Sequence, residues 1–370
     1  MRILAGTDDG LMVIRWIEGE RSGRTVEKHF DGRQVYRLAA TADGIWAVVP
    51  EEGIFHSKNR GDSWERVAER LGGAMVRSLT VSPRDPSVIY AGTEPAALFV
   101  SYNDGADWEE LPEFRVLGVR ESWRDYGKRS AHVETIACDP HEPRRIYAGV
   151  EIGGVYRTDD GGASWTPINE GIFDDIHELQ VDPWDPSRVF AATGGGLHIS
   201  RDRGLHWRRH ESELGELYCT RFDLVSRGED VSDSLQSRLV LATADSTPSE
   251  WNRRKGDARA RLWLSTDAGD TWAPIQLSGI RDKGAITDVT ADPASEGTAV
   301  IGTSSGNLYY GRAADRKWTR LMFGMPSICS LRVIRTSIFR AGIGVRTILK
   351  SGLLDGERAA GGTGDRAFHS

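Results

Sequence analysis

The pattern Ser/Thr-x-Asp/Asn-x-Gly-x-x-Trp occurs five times in this 370-residue chain. Its copies are Ser57-x-Asn59-x-Gly61-x-x-Trp64, Ser101-x-Asn103-x-Gly105-x-x-Trp108, Thr158-x-Asp160-x-Gly162-x-x-Trp165, Ser200-x-Asp202-x-Gly204-x-x-Trp207 and Ser265-x-Asp267-x-Gly269-x-x-Trp272. An eight-residue pattern repeated in this way restricts the chain to a fold built of like units, and such repeats decide architecture before any other signal. The Trp-to-Trp intervals are 44, 57, 42 and 65 residues, and Trp318 follows 46 residues after the last. The shorter intervals match the roughly 40–45 residues of a four-stranded propeller blade.

Each unit has one grammar. An inner strand leads into a Pro-containing turn, as in Pro83-Arg84-Asp85-Pro86, Pro140-His141-Glu142-Pro143 and Pro183-Trp184-Asp185-Pro186. A strand of β-branched and small residues follows, then a Gly turn, a third strand, the repeated turn, and a short outer strand opening near Trp. Two further units, around Ile3–Thr7 and Val300–Thr303, keep the second strand without the turn. Second strands near residues 3, 45, 88, 146, 189, 239 and 299 count seven blades. The first unit begins at its second strand, and Ile328-Cys329-Ser330-Leu331-Arg332-Val333 has the pattern of the missing inner strand. The expected fold is therefore an all-β, seven-bladed β-propeller of four-stranded antiparallel blades over residues 1–333, closed by a C-terminal strand pairing into blade 1. Residues 334–370 carry no repeat grammar and read as a Gly-, Ala- and Arg-rich tail with the composition of disorder.

Inside the repeated turn, Asp or Asn can accept backbone N–H groups of its own turn, and Gly tolerates positive φ. The Trp supplies a large buried surface between sheets. Carboxylates recurring at matching sites of five blades read as scaffold, because a reaction needs one constellation.

The eight-residue pattern resembles the Asp-box, or bacterial neuraminidase repeat, of sialidase-like propellers. Similar repeats occur in photosystem assembly propellers, sortilin-type receptors and xyloglucan-cleaving hydrolases. The chain most resembles bacterial single-ring proteins of the glycosyl hydrolase BNR-repeat type, and the resemblance covers about residues 1–333. It implies a propeller with either a binding role or glycoside hydrolase-like chemistry, since function lies in a site placed on the fold. Sialidases have six blades and an early Arg-Ile-Pro segment; here seven blades are counted and no Arg-Ile-Pro occurs. The xyloglucan hydrolases resemble two facing rings, where this chain has one.

The formal net charge of −7 argues against a nucleic-acid partner. No apolar run is long enough to span a bilayer, and Met1–Thr7 runs directly into a repeat element, so no membrane association and a cytoplasmic location are expected. The three cysteines, Cys138, Cys219 and Cys329, lie in apolar strand-like surroundings and read as buried thiols. No cofactor is called for.

In a four-stranded meander, the turns after strands one and three share one face, here called the bottom, which therefore carries the Pro turns and the Asp-boxes. The turns after strands two and four share the top. Both excess-length segments, Pro112–Ser130 and Ala244–Arg261, map to the top, and each holds five Lys/Arg against three Asp/Glu. They carry Trp123 and Tyr126 in one and Trp251 in the other. Long loops gathered on one face of a scaffold often carry function, and equally often are tolerated insertions.

Aligned inner strands place Tyr36, Arg77, Glu134, His177, Thr220, Thr287 and Cys329 at one axial level. Arg37, Ser78, Thr135, Glu178, Arg221, Asp288 and Ser330 fall at the next. One account is a tunnel with neutralising Arg–carboxylate pairs. Another is a mouth pocket in which Arg37, Arg77 and Arg221 converge on a carboxylate or phosphate of an anionic ligand. Glu134, Glu178 and Asp288 are then the candidate acids and bases. Tyr36, His132, His177, Glu151, Trp123 and Trp251 would complete the ligand-binding surface. A third account is a metal held by His132, His177 and Glu151, residue types suited to zinc without the helical His-Glu-x-x-His spacing. The expected partner is an anionic small molecule, a glycan or a protein on the top face.

Overall fold

The computed structural model describes residues 1–41, 44–117, 123, 130–227, 237–275, 282–315 and 318–335. Most of the segment 118–129, including Tyr126, and the tail from 336 lie outside the described residues. Seven four-stranded antiparallel sheets form a ring, so the protein is a seven-bladed β-propeller. The inner strands of blades 1 to 7 are Ile328–Ile334, Arg37–Ala40, Met75–Val81, Val133–Cys138, Ile176–Val181, Tyr218–Arg227 and Ile286–Ala291. Strand Ile328–Ile334 pairs antiparallel with Arg2–Thr7, from Arg2 opposite Ile334 to Thr7 opposite Ile328. The ring thus closes by joining the two ends of the propeller within one blade, which leaves no open inner edge in blade 1.

Among the described residues the core divides into clusters between neighbouring blades, with a smaller one at the rim around Ala244, Ala258 and Ala285. Trp46, Val48 and Ile54 of blade 2 meet Val76, Leu79 and Ile89 of blade 3; Ile3, Ala5, Ile14 and Ile328 of blade 1 meet Val300 and Leu308 of blade 7. Second strands are therefore covered on both faces. Ile45–Val49, Ile146–Val150 and Val189–Thr193 are buried at every residue, which explains their near-continuous apolar sequence. Glycine in these strands marks close approach: a Cβ on Gly149 would stand 2.7 Å from Ile176 in the next blade.

The eight-residue turn has the same bonding in all five copies. The Ser/Thr hydroxyl donates to the Asx side chain at 2.7–3.0 Å and accepts the Gly N–H at 2.7–2.9 Å. The Asx oxygen accepts the N–H of the residue before Trp at 2.9 Å. Those bonds favour the ionised carboxylate: the hydroxyls of Ser164 and Thr158 hold Asp160 far below its ordinary range. The glycine fits for two reasons. Gly204 has φ +85, and its missing Cβ would stand 2.5 Å from Ile168 of the preceding blade. One feature the sequence does not announce is that the residue before the glycine is also left-handed, at φ 64 for Arg60, 58 for Asp104, 62 for Arg203 and 56 for Ala268.

Candidate functional site

A one-residue register slip interrupts the inner strand near its top end in six blades. The residue left without a pairing partner is Arg77, Glu134, His177, Thr220, Thr287 or Cys329 in turn. These are the residues of the upper axial level. Such a bulge re-aims side chains, so the two axial levels arise from one repeated irregularity.

Glu134 is the hub. Its carboxylate is 4% exposed as a residue and spans three blades. Arg37 of blade 2 binds Oε1, and Arg221 Nη2 of blade 6 reaches the same oxygen at 2.8 Å. The Tyr36 hydroxyl donates to Oε2 at 3.0 Å, and His132 Nε2 lies 3.4 Å from it. Burial penalises the charged carboxylate, but Arg37, His132 and Arg221 outweigh it and hold its pKa well below the ordinary range. Two guanidiniums lie close to the Tyr36 ring, Arg37 at 4.9 Å and Arg77 at 5.4 Å from its centre. Burial, chiefly, pushes the Tyr36 hydroxyl up.

The other predicted residues are also engaged. Arg77 is buried and paired with buried Glu94, through Nε at 2.6 Å. Arg221 donates through Nη1 to the His177 carbonyl at 2.6 Å, and its Nε lies 3.6 Å from Glu178. Burial raises the Glu178 pKa, with Arg221 opposing. Asp288 accepts the Leu331 N–H of blade 1 at 2.6 Å and its neighbour Val289 N–H at 2.9 Å. Thr220 and Thr287 stitch neighbouring blades by donating to the Ile286 and Ile328 carbonyls at 2.7 and 2.6 Å.

Two histidines stand at the mouth, each facing a carboxylate. His132 Nε2 lies 2.7 Å from Glu151, and although burial opposes its charge, Glu134 and Glu151 raise its pKa to about 10. His177 Nε2 lies 3.3 Å from Asp175, which likewise outweighs burial, while Nδ1 meets the Cys219 carbonyl at 2.6 Å. Of the three residues first considered for a metal, His132 and Glu151 come together, with Glu134 as the third; His177 faces Asp175.

Antiparallel order puts the ends of both insertions on the rim where inner strands begin, and backbone hydrogen bonds tie that rim together. Ala258 N–H donates to the Lys283 carbonyl at the entry of blade 7, and Ala96 N–H to Ala131 at the entry of blade 4. Trp251 caps the rim: its ring packs edge-on against Tyr218 at 5.6 Å, and Tyr218 lies 4.6 Å from His177. Trp123 is placed elsewhere. It donates to the Tyr156 hydroxyl at 2.6 Å and packs on Phe114 over the blade 3–4 core.

Glu94 and Tyr218 belong to this constellation but were not among the sequence candidates. Glu94 had a signal: its second strand ends in a carboxylate where the others end in Thr, Val or Ala. Tyr218 had none, since its role depends on the insertion folding over it.

No family model matches the chain. It is similar to a xyloglucanase of Paenibacillus sp, 28% identical over 228 residues covering 56% of this chain and 20% of that protein. A xyloglucanase of Hypocrea jecorina is 24% identical over 285 residues, 65% of this chain and 30% of that one. The rice photosystem II stability/assembly factor HCF136 is 24% identical over 170 residues, 44% of this chain and 39% of that one. The chain thus spans a fifth to under a third of these two xyloglucanases. Among solved structures, the GH74 xyloglucanase of Xanthomonas campestris superposes with a TM-score of 0.57 at 18% identity, over 78% of this chain and 45% of that one. YCF48 bound to D1 peptide gives 0.53 at 15%, over 78% and 82%. These likenesses fit the sialidase-like propeller class, and at such identities the solved structures speak to fold alone. No helix among the described residues is long and apolar enough to cross a membrane.

Proposed function

We propose that the protein is a binding propeller whose top face, at the channel mouth, receives a protein segment or a glycan without cleaving it. The observation that carries this reading is the pairing of Glu134 with Arg37 and Arg221. A general acid needs a carboxyl that holds its proton near the working pH, and Glu134 is kept ionised. The three candidate arginines are matched by internal carboxylates, so the axis works as a rigid floor. The rim above it, with Glu151, Asp175, Tyr218 and Trp251, supplies the contact surface. Similarity to an assembly factor supports a protein partner; similarity to xyloglucanases supports a glycan.

A hydrolytic reading has one specific observation in its favour, the raised pKa of Glu178. Incubation with xyloglucan and its oligosaccharides separates the two. The binding reading predicts no new reducing ends and, for a cognate ligand, a saturable rise in melting temperature that Trp251→Ala removes. Release of reducing ends by the wild type, lost in Glu178→Gln, would establish the hydrolase instead.

A further inference from the structure

The side chains at the entry of blade 4 form a set that the binding reading uses only singly, Glu134 in the floor and Glu151 on the rim. His132 Nε2, one oxygen of Glu134 and one of Glu151 all lie within 4.8 Å of one another. The chain brings them together by local means. His132 and Glu134 flank Val133 at the start of the inner strand, and Glu151 follows the paired strand, its N–H donating to the His132 carbonyl at 3.0 Å. The bulge at Glu134 turns that side chain into the axis.

Three features go beyond a chance cluster of charges. His132 is 2% exposed, and its Nε2 points between two carboxylates without lining up as a hydrogen-bond donor to either. Its Nδ1 lies 3.2 Å from the Ser130 carbonyl, so Nδ1–H donates there, and Nε2 carries the proton that Glu134 and Glu151 face and releases it to an incoming ion. An outward N–H fixed on a backbone carbonyl is the usual second partner of a metal-binding histidine. Glu134 is likewise oriented by partners: Arg37 and Arg221 occupy Oε1, and Tyr36 fixes Oε2.

The spacing suits a small ion. Donors about 2.1 Å from a tetrahedral centre lie roughly 3.4 Å apart. His132 Nε2 and Glu134 Oε2 are 3.4 Å apart. Glu151 approaches His132 more closely, at 2.7 Å, and its side chain is 23% exposed at the rim. One imidazole nitrogen and two carboxylate oxygens suit a first-row divalent ion, and three protein ligands leave a position open.

We propose that His132, Glu134 and Glu151 form a binding site for a divalent transition ion of the zinc class, with its open coordination position facing the channel mouth. There the ion would offer a partner's carboxylate or carbonyl oxygen a direct ligand in the binding surface. The site stands whichever partner the mouth receives.

The test uses the full chain, stripped with a chelator and titrated with Zn2+ by calorimetry and with Co2+ by visible absorption. The expected result is one ion per chain. Glu151→Gln should weaken binding by roughly tenfold or more, the scale that even outer-shell partners reach, and should alter the Co2+ spectrum. His132→Gln should abolish both signals, while Glu109→Gln, on the outer strand of blade 3, should leave them unchanged. Absence of stoichiometric binding by the wild type overturns the site. So does binding of equal affinity and spectrum in Glu151→Gln. Should His132→Gln fail to fold, the Glu151→Gln comparison decides alone.

Discussion

The two faces of the ring use the same residue types to opposite ends. On the bottom, Asn59, Asn103, Asp160, Asp202 and Asp267 each bond within their own turn, five copies of one local solution. At the top, Glu134 collects partners from blades 2 and 6, and Arg77 is matched by Glu94 within blade 3. The bottom is repetitive because each turn solves the same problem: ending a hairpin and docking it on the preceding blade. The top is singular because seven non-equivalent side chains share one axis, and charge balance there is a property of the whole ring. Repeated polar residues thus mark scaffold, and unrepeated ones mark where the ring can differ from its relatives.

Substitutions on the two faces put that contrast to the test. The largest effect is expected from Trp165→Ala, which empties the blade 3–4 core beside Phe114; it should cost roughly 3–5 kcal/mol in denaturant unfolding. An unchanged midpoint would remove the tryptophan from the scaffold.

Histidines offer a test of opposite signs. His198, in the buried third strand of blade 5, has its pKa lowered to about 4 because burial disfavours its charge. The unfolded chain, near 6.5, then binds a proton that the folded chain rejects. This contribution to stability is whole above pH 6.5 and is lost as pH falls toward 4, by roughly 3 kcal/mol in all. His198→Gln should flatten the acid limb of the stability curve by that amount. His177 is raised instead by Asp175, so its contribution is whole below the unfolded pKa and lost as pH rises through the folded one. His177→Gln should therefore alter the neutral-to-alkaline limb and spare the acid one. Like effects of both variants on the same limb would dissolve the distinction between scaffold and mouth.

Smaller effects belong to the turns. Gly204→Ala places a Cβ against Ile168 at positive φ and should cost about 1–3 kcal/mol. Ala268→Gly relieves a non-glycine residue at φ 56 and should be neutral to stabilising by up to about 1 kcal/mol. A loss of stability in Ala268→Gly would mean that its buried methyl contributes more than the backbone strain costs.

Much of the architecture was readable because the ring repeats. Five turns, the Pro motifs and seven small-residue strands gave the blade number, a local signal averaged over several copies, and the apolar pattern of Ile328–Val333 gave closure by a C-terminal strand. The axial levels were readable for the same reason: aligning inner strands lined up the bulge residues before the bulges were known. Partner choice was not readable. Nothing near Arg77 in sequence says that its counter-ion is Glu94 rather than a ligand, and Glu134 meets Arg221 only because the ring brings residues 87 apart together. Aromatic residues in insertions were equally ambiguous: Trp251 reached the mouth through Tyr218, and Trp123 settled over Phe114.

The most direct test is a double-mutant cycle on Glu134→Gln and Arg221→Gln, followed by denaturant unfolding. A buried, shared carboxylate predicts that each single change costs roughly 3–5 kcal/mol, because each strands an opposite charge, and that the double change costs far less than the two together. Single variants as stable as the wild type, with additive effects, would show the arginine free to meet an external anion and would contradict the paired axis.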